Sequence, residues 1–391
     1  MNKITADVII TNDGQPLTNT TITYSATGEI LDISPDIFPD TRKLNGLLIP
    51  GYVNAHCHLE LSHLRGVIPT GTGLIPFIKG VLQLRDFPED KILRAIQAAD
   101  QEMYDNGIVA VGDISNAVDT VATKEASKIR YHTFVEVFDL FQDFMLQRTL
   151  AEIQDIYASH VRDRGHKKSY VPHAPYSVSD ELYEFINKAN AEEQVSVSVH
   201  NQELDAENEL FMTGRGEFQS FFRDIGMSLE SFSPTKTTSI RHLLQRMDPS
   251  KNTLFVHNTT TSSSDISAAH AWSPNVYWVT CPNANLYIEN RLPQYRHFIA
   301  QDARMCIGTD SLGSNWQLSV FEEMQTLKRY QSQVPDVDII KWATLNGAMA
   351  LGFDDLGRIG VGLTPGLNHI DVDVVDGVFD LSRARSSTRI V

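Results

Sequence analysis

Apolar positions along this chain follow two alternating rhythms. Runs in which nearly every residue is apolar or β-branched recur eight times: LLIPGYVNAHCH (47–58), IVAVGDIS (108–115), YHTFVEVF (131–138), SYVPHAP (169–175), VSVSVH (195–200), TLFVHN (253–258), VYWVTCP (276–282) and MCIGTD (305–310). Such runs predict strands buried on both faces, the condition of a parallel sheet. The stretches between them carry helical periodicity. In EDKILRAIQAADQEMYDNG, for example, Ile92, Leu93, Ile96, Ala99 and Met103 recur at about 3.6-residue spacing before Gly107 stops the helix. Strands alternating with helices predict an α/β fold, either a (β/α)8 barrel of the TIM type or a doubly wound sheet, and periodicity alone leaves both open.

The two ends break the rhythm. Residues 1–46 carry short strand patterns with hairpin turns at Asn12-Asp13-Gly14 and Thr27-Gly28, and residues 354–391 are again β-like, through HIDVDVVDGVFDL. They predict one small β module made from both termini, with 47–353 as the main domain. At 391 residues the chain exceeds the roughly 250–300 at which a single core stops growing, which fits that division. The longest irregular stretch, 204–245, is inserted after the fifth run. On a barrel it would lie over the mouth at the C-terminal strand ends, as a substrate lid or as a decorative helix and loop.

Composition narrows the function. No run approaches the roughly 18 apolar residues of a membrane span, and MNKITADVIITNDG lacks the apolar core of a signal peptide. A soluble, cytoplasmic protein is expected. With 33 basic and 49 acidic residues the net charge is −16, so neither nucleic acid nor a membrane is an expected partner; a small-molecule substrate is, and a homo-oligomer stays open. The three cysteines, Cys57, Cys281 and Cys306, form no C-x-x-C pair and read as free thiols in a reducing compartment.

The chemistry sits where the apolar runs end. His56-Cys57-His58 closes the first run, and in an extended segment residues i and i+2 face the same side, so both imidazoles can reach one ion. His200 ends the fifth run, His257 the sixth and Asp310 the eighth. No one of these is convincing alone, but five ligand-type residues at four strand ends would converge on one mouth of a barrel. A histidine-rich set with one carboxylate suits Zn²⁺, or Fe²⁺, better than Mg²⁺ or Ca²⁺. Such an ion lowers the pKa of bound water to about 7, which is what hydrolysis needs. Glu203, three residues beyond His200 in HNQE, is close enough to serve as the acid or base. Other chemistries are excluded: His58-Leu59-Glu60 resembles half of a cytidine-deaminase signature but no P-C-x-x-C follows, and neither a G-x-S-x-G elbow nor a phosphate-binding glycine loop is present.

The segments PGYVNAHCHLELS, HNQE, FVHN, CPNANL and GTDSLGSNWQLSVFEEM resemble the amidohydrolase superfamily, in its branch of purine-type deaminases and chlorohydrolases, over nearly the whole chain. Within it, VPHAPYSVS, LFVHNTT and VTCPNANLYIENRLP look closest to the aminofutalosine deaminases, with S-adenosylhomocysteine and guanine deaminases more distant. The resemblance implies a TIM-type barrel with a β-sandwich formed by the N- and C-terminal segments. It also implies that His56, His58, His200 and Asp310 bind one divalent transition metal. Asp310 would take a proton from the attacking water, His257 would orient that water or polarise the scissile centre, and Glu203 would protonate the ring nitrogen and help expel ammonia. His173 falls at a substrate-contacting position, Asn285 occupies the asparagine of the C-P-x-x-N motif, and Glu60 is a further candidate for substrate binding. Glu60 and His63 could equally hydrogen-bond the barrel rim. Binuclear relatives carry a lysine at the end of strand four; here Lys167 and Lys168 precede that strand, so one metal is expected. The implied reaction is hydrolytic deamination of an aminofutalosine- or adenosine-like purine nucleoside. The alternative is attack on another non-peptide C–N bond or a C–Cl bond, as in guanine deaminases, cyclic amidases or chlorohydrolases.

Overall fold

The run 47–58 is two strands, and the break at Gly51 sets the architecture. In the computed structural model, which describes residues 1–391, four strands precede that glycine: β1 (Asn2–Ile9), β2 (Thr21–Tyr24), β3 (Ile30–Ser34) and β4 (Arg42–Pro50). Eight follow it: β5 (Tyr52–Cys57), β6 (Ile108–Ser115), β7 (Arg130–Val137), β8 (Lys167–Pro172), β9 (Ser196–Asn201), β10 (Asn252–His257), β11 (Val276–Thr280) and β12 (Met305–Ile307). The chain closes with β13 (Leu367–Asp371) and β14 (Ser386–Arg389). A Cβ at position 51 would stand 2.4 Å from Val109 Cγ1 and 2.7 Å from the Pro365 carbonyl oxygen, so only glycine lets these backbones approach.

β4 therefore belongs to the terminal module, whose sheet runs β14-β13-β4-β1-β2-β3. Its side chains alternate between two cores: Leu47 and Ile49 join the main core of the molecule, while Leu48 joins a separate small core with Ile4, Ile22 and Leu367. One face of this sheet is thus docked on the barrel and the other is closed by its own apolar packing.

β5 to β8 and β9 to β12 form two parallel four-stranded ladders. Two seams join them into the ring of a TIM-type barrel. Across β8 and β9, His200 N–H donates to the His173 carbonyl at 2.9 Å and Ser169 Oγ donates to the Ser196 carbonyl at 2.7 Å. Across β12 and β5, the N–H groups of Thr309 and Asp310 both donate to the His56 carbonyl at 3.0 Å. The barrel, rather than the doubly wound sheet, is the outcome, and the same residues that close it carry the candidate chemistry. Lys167 and Lys168 open β8 at the opposite end, where Lys168 Nζ donates to the Tyr157 carbonyl at 2.6 Å; no lysine stands at the mouth end of that strand.

All three cysteines are buried and unpaired. No helix is long and apolar enough to cross a membrane. Below the mouth, His132 is wholly buried, its Nδ1 donating to the Leu351 carbonyl at 3.0 Å, and burial pushes its pKa down to about 3. The unfolded chain, with an imidazole near pH 6.5, takes up a proton that the folded chain refuses. Stability therefore falls as pH drops from about 6.5 toward 3, by up to about 1.4 kcal/mol per pH unit from this residue. Urea unfolding at pH 6.5 and 5.0 should show His132→Gln losing about 2 kcal/mol less over that interval than the parent. Equal losses would mean that His132 is not held neutral.

Candidate active site

Extended backbone at the end of β5 turns His56 and His58 to the same side and leaves Cys57 in the core between them. The next turn is pinned from the neighbouring strand, where Asp113 Oδ1 accepts from the Leu59 N–H at 2.7 Å, and Asp113 is itself ion-paired with buried Lys124 at 2.6 Å. Asp310 lies three residues past β12, in the left-handed region at φ 58°, a conformation aspartate tolerates better than most residues. The main-chain bonds to His56 hold it there, and Ser314 Oγ donates to its Oδ2 at 2.5 Å, leaving Oδ1 directed at the histidines.

The donor atoms form a tight set. His58 Nε2 is 3.1 Å from His56 Nε2 and 3.3 Å from His200 Nε2, and Asp310 Oδ1 is 3.4 Å from His56 Nε2 and 3.3 Å from His58 Nε2. Metal–ligand bonds of about 2.0–2.1 Å arranged tetrahedrally place ligand atoms about 3.3–3.4 Å apart, so these separations fit a single divalent ion. The protonation states fit as well. Burial pushes His58 down to about 3 and lowers His56 and His200, keeping the imidazoles neutral, while burial of Asp310 is outweighed by His56, His58 and His257, which hold it below the usual carboxylate range. His200 Nδ1 donates to the His173 carbonyl at 2.9 Å, which aims Nε2 at the set.

His257 ends β10 at φ 71° and has a ring nitrogen within 4.8 Å of donor atoms of both His56 and Asp310. Its Nδ1 donates to Asn285 Oδ1 at 2.9 Å and stands 3.8 Å from Glu203 Oε1. Asn285 is thus not a cleft-lining residue; it stands behind His257 and orients it. Burial pushes Glu203 up to about 7, so its carboxyl can hold and release a proton near neutrality.

These groups floor a cleft that is partly open to solvent. His58, Glu60, His173, His200, Glu203, His257 and Asp310 all line it. His173 pairs its Nδ1 with the Ser177 hydroxyl at 2.8 Å. Glu60 faces the cleft, and its Oε2 accepts from the N–H groups of Asn116 and Ala117 at 2.7 and 3.2 Å. His63 is a rim residue, with Nε2 on the Arg85 carbonyl at 3.0 Å and its ring against Phe87. The walls are apolar: Phe77 and Val81 come from the helix Leu74–Leu84, Phe138 from just beyond β7, and Phe221 and Ile225 from the 204–245 insertion. That insertion packs as a small core of its own with Leu64, Ile68 and Tyr287 over the mouth, which is more than a decorative loop.

Two lining residues, Asn116 and Glu136, have no counterpart among the residues singled out by sequence. Glu136 is the one charged residue in FVEVF, and a lone carboxylate inside a strand buried on both faces is the signal that would have found it.

Among protein families, the model of the amidohydrolase family matches residues 47–389. The aminodeoxyfutalosine deaminase of a Nitratiruptor species is 27% identical over 339 residues, covering 84% of this chain and 80% of that one. Among solved structures, Helicobacter pylori aminofutalosine deaminase in complex with methylthio-coformycin superposes with a TM-score of 0.79 at 20% identity, covering both chains fully. An adenosine deaminase from Xanthomonas campestris with bound zinc gives 0.74 at 20% identity, over 98% of this chain and 90% of that one.

Proposed function

The chain belongs to the amidohydrolase family, and on that premise we propose that it is a mononuclear metal-dependent deaminase of an aminofutalosine- or adenosine-like purine nucleoside, with zinc as the first choice of metal and Fe²⁺ the second. The observation that carries this reading is a protonatable carboxyl, Glu203, in the same cleft as His58, His200 and Asp310, which with His56 have neighbouring donor atoms 3.1 to 3.4 Å apart. His56, His58, His200 and Asp310 would hold the ion, which when bound acidifies water and polarises the group it faces. Asp310 accepts the proton of the attacking water. His257, oriented by Asn285, steers that water toward the amino-bearing ring carbon. Glu203 delivers a proton to the adjacent ring nitrogen and then to the departing amine, so that water and the aminopurine become the oxopurine and ammonia. His173, which lines the same cleft beside His200, contacts the substrate. The names of the relatives support the nucleoside class, and the apolar walls suit a nucleoside whose 5′ substituent is apolar.

Purified enzyme is expected to release ammonia from at least one member of a panel of adenosine, 5′-deoxyadenosine, methylthioadenosine and aminofutalosine. Silence across the panel, with chloride released from a chlorotriazine or a carboxylate formed from a cyclic ureide, would replace this reading with the other hydrolytic one. Elemental analysis should find one transition metal per chain, and removal by chelator should abolish turnover until one equivalent of Zn²⁺ is restored. Two equivalents at full occupancy would overturn the mononuclear assignment.

A further inference from the structure

Along the wall formed by the ends of β5, β6 and β7, the cleft presents side-chain oxygens that have no hydrogen-bond partner. Asn116, just past the end of β6, ties two carboxylates together: its N–H donates to Glu60 Oε2 at 2.7 Å and its Nδ2 donates to Glu136 Oε2 at 2.9 Å. Each of the three residues keeps one oxygen unused. Glu136 Oε1 and Asn116 Oδ1 are buried and have no hydrogen-bond partner, and Glu60 spends only Oε2 on the protein. Buried polar atoms are almost always paired, so two orphans side by side, in residues that line a cleft, mark a place where a ligand completes the bonding.

Glu136 could instead be the residue that orients His200, since Oε1 lies 3.5 Å from His200 Nδ1. That nitrogen has one proton, and the His173 carbonyl takes it at 2.9 Å, so the longer contact is not a hydrogen bond.

The missing partner must bond several clustered oxygens and be able both to donate and to accept. Burial pushes Glu60 up to about 7 and Glu136 up to about 8, so that either carboxyl can hold a proton near neutrality, while Asn116 Oδ1 only accepts. A cationic amine fits poorly: the Arg85 guanidinium lines the same cleft, and so would a divalent ion held by the histidines and Asp310. Neutral hydroxyls meet no such repulsion, and a vicinal diol offers two donors at the spacing of adjacent carbons. Resting on the nucleoside reading above, we propose that Glu60, Asn116 and Glu136 form a sugar-recognition shelf that binds the 2′,3′-diol of the substrate, with Glu136 as a specificity-determining residue.

The test compares 5′-deoxyadenosine with its 2′,3′,5′-trideoxy counterpart on the metal-loaded enzyme. The parent should favour the diol by about 10²-fold or more in kcat/KM, the discrimination a site built to bond a hydroxyl shows against an analogue lacking it. In Glu136→Gln the carboxamide must keep its oxygen toward Asn116 Nδ2, which turns its NH2 into the position of the free oxygen. That variant should keep its metal and bring the preference to within about 10-fold, mainly through the diol substrate. Equal treatment of the two nucleosides by the parent enzyme overturns the shelf without touching the deaminase reading. A Glu136→Gln enzyme that loses metal, or slows equally on both, places Glu136 behind His200 instead. If neither nucleoside releases ammonia, calorimetric binding of the same pair separates the two claims: tighter binding of the diol keeps the shelf and removes the reaction, and equal binding removes the shelf as well.

Discussion

Asp310→Asn is expected to lower kcat/KM by about 10³-fold or more and to bring the bound metal below one equivalent per chain. Two losses combine. The carboxylate is the only anion among the four donors, so the amide leaves three neutral imidazoles to neutralise a divalent charge inside a buried site. On the proposed mechanism it also removes the acceptor for the proton of the attacking water, a role that alone is worth about 10²–10⁴-fold. The fold should survive, because the main-chain bonds of position 310 to His56 and its left-handed conformation are both open to asparagine. Metal analysis and kcat/KM on the same preparation, with circular dichroism as the control for folding, decide it. An Asp310→Asn enzyme of parental metal content and rate would exclude Asp310 from the site.

Glu203→Gln should separate chemistry from metal binding. Its carboxyl faces His257 at 3.8 Å and belongs to none of the clustered ligand groups, so the variant is expected to keep one metal per chain. The rate should fall by about 10²-fold or more, the usual scale for lost acid–base help, because an amide cannot carry a proton to the ring nitrogen and on to the leaving group. The two variants thus predict opposite metal contents with the same sign of rate change. Near-parental turnover by Glu203→Gln would remove Glu203 from the mechanism.

Parts of this picture are legible from local pattern. IVAVGDIS is β6 residue for residue, and the other barrel runs fall within a few residues of the observed strands, because burial on both faces demands a nearly continuous apolar run. The first run misleads for the same reason. Nothing in the apolarity of 47–58 marks the change of sheet at Gly51, which is imposed by Val109 and Pro365 from elsewhere in the chain. The C-P-x-x-N motif points to Asn285, but only the folded chain shows its oxygen bonded to His257. Glu136 and Asn116 escape motif reading because each stands alone in sequence and gains meaning only beside Glu60.

The order of amino acids is enough to set the inventory: eight buried strands with helices between them, β segments at both ends, and His56, His58, His200, His257 and Asp310 where apolar runs stop. Each of these is a local property, governed by how one segment partitions between water and a core. The closure of the ring, the 3.1 to 3.4 Å spacing of the donors and the sorting of polar residues into those that face the cleft and those that brace one another arise only when the chain is folded. They are contacts between segments far apart in the chain, and a strand end carries no record of which other strand end it will meet.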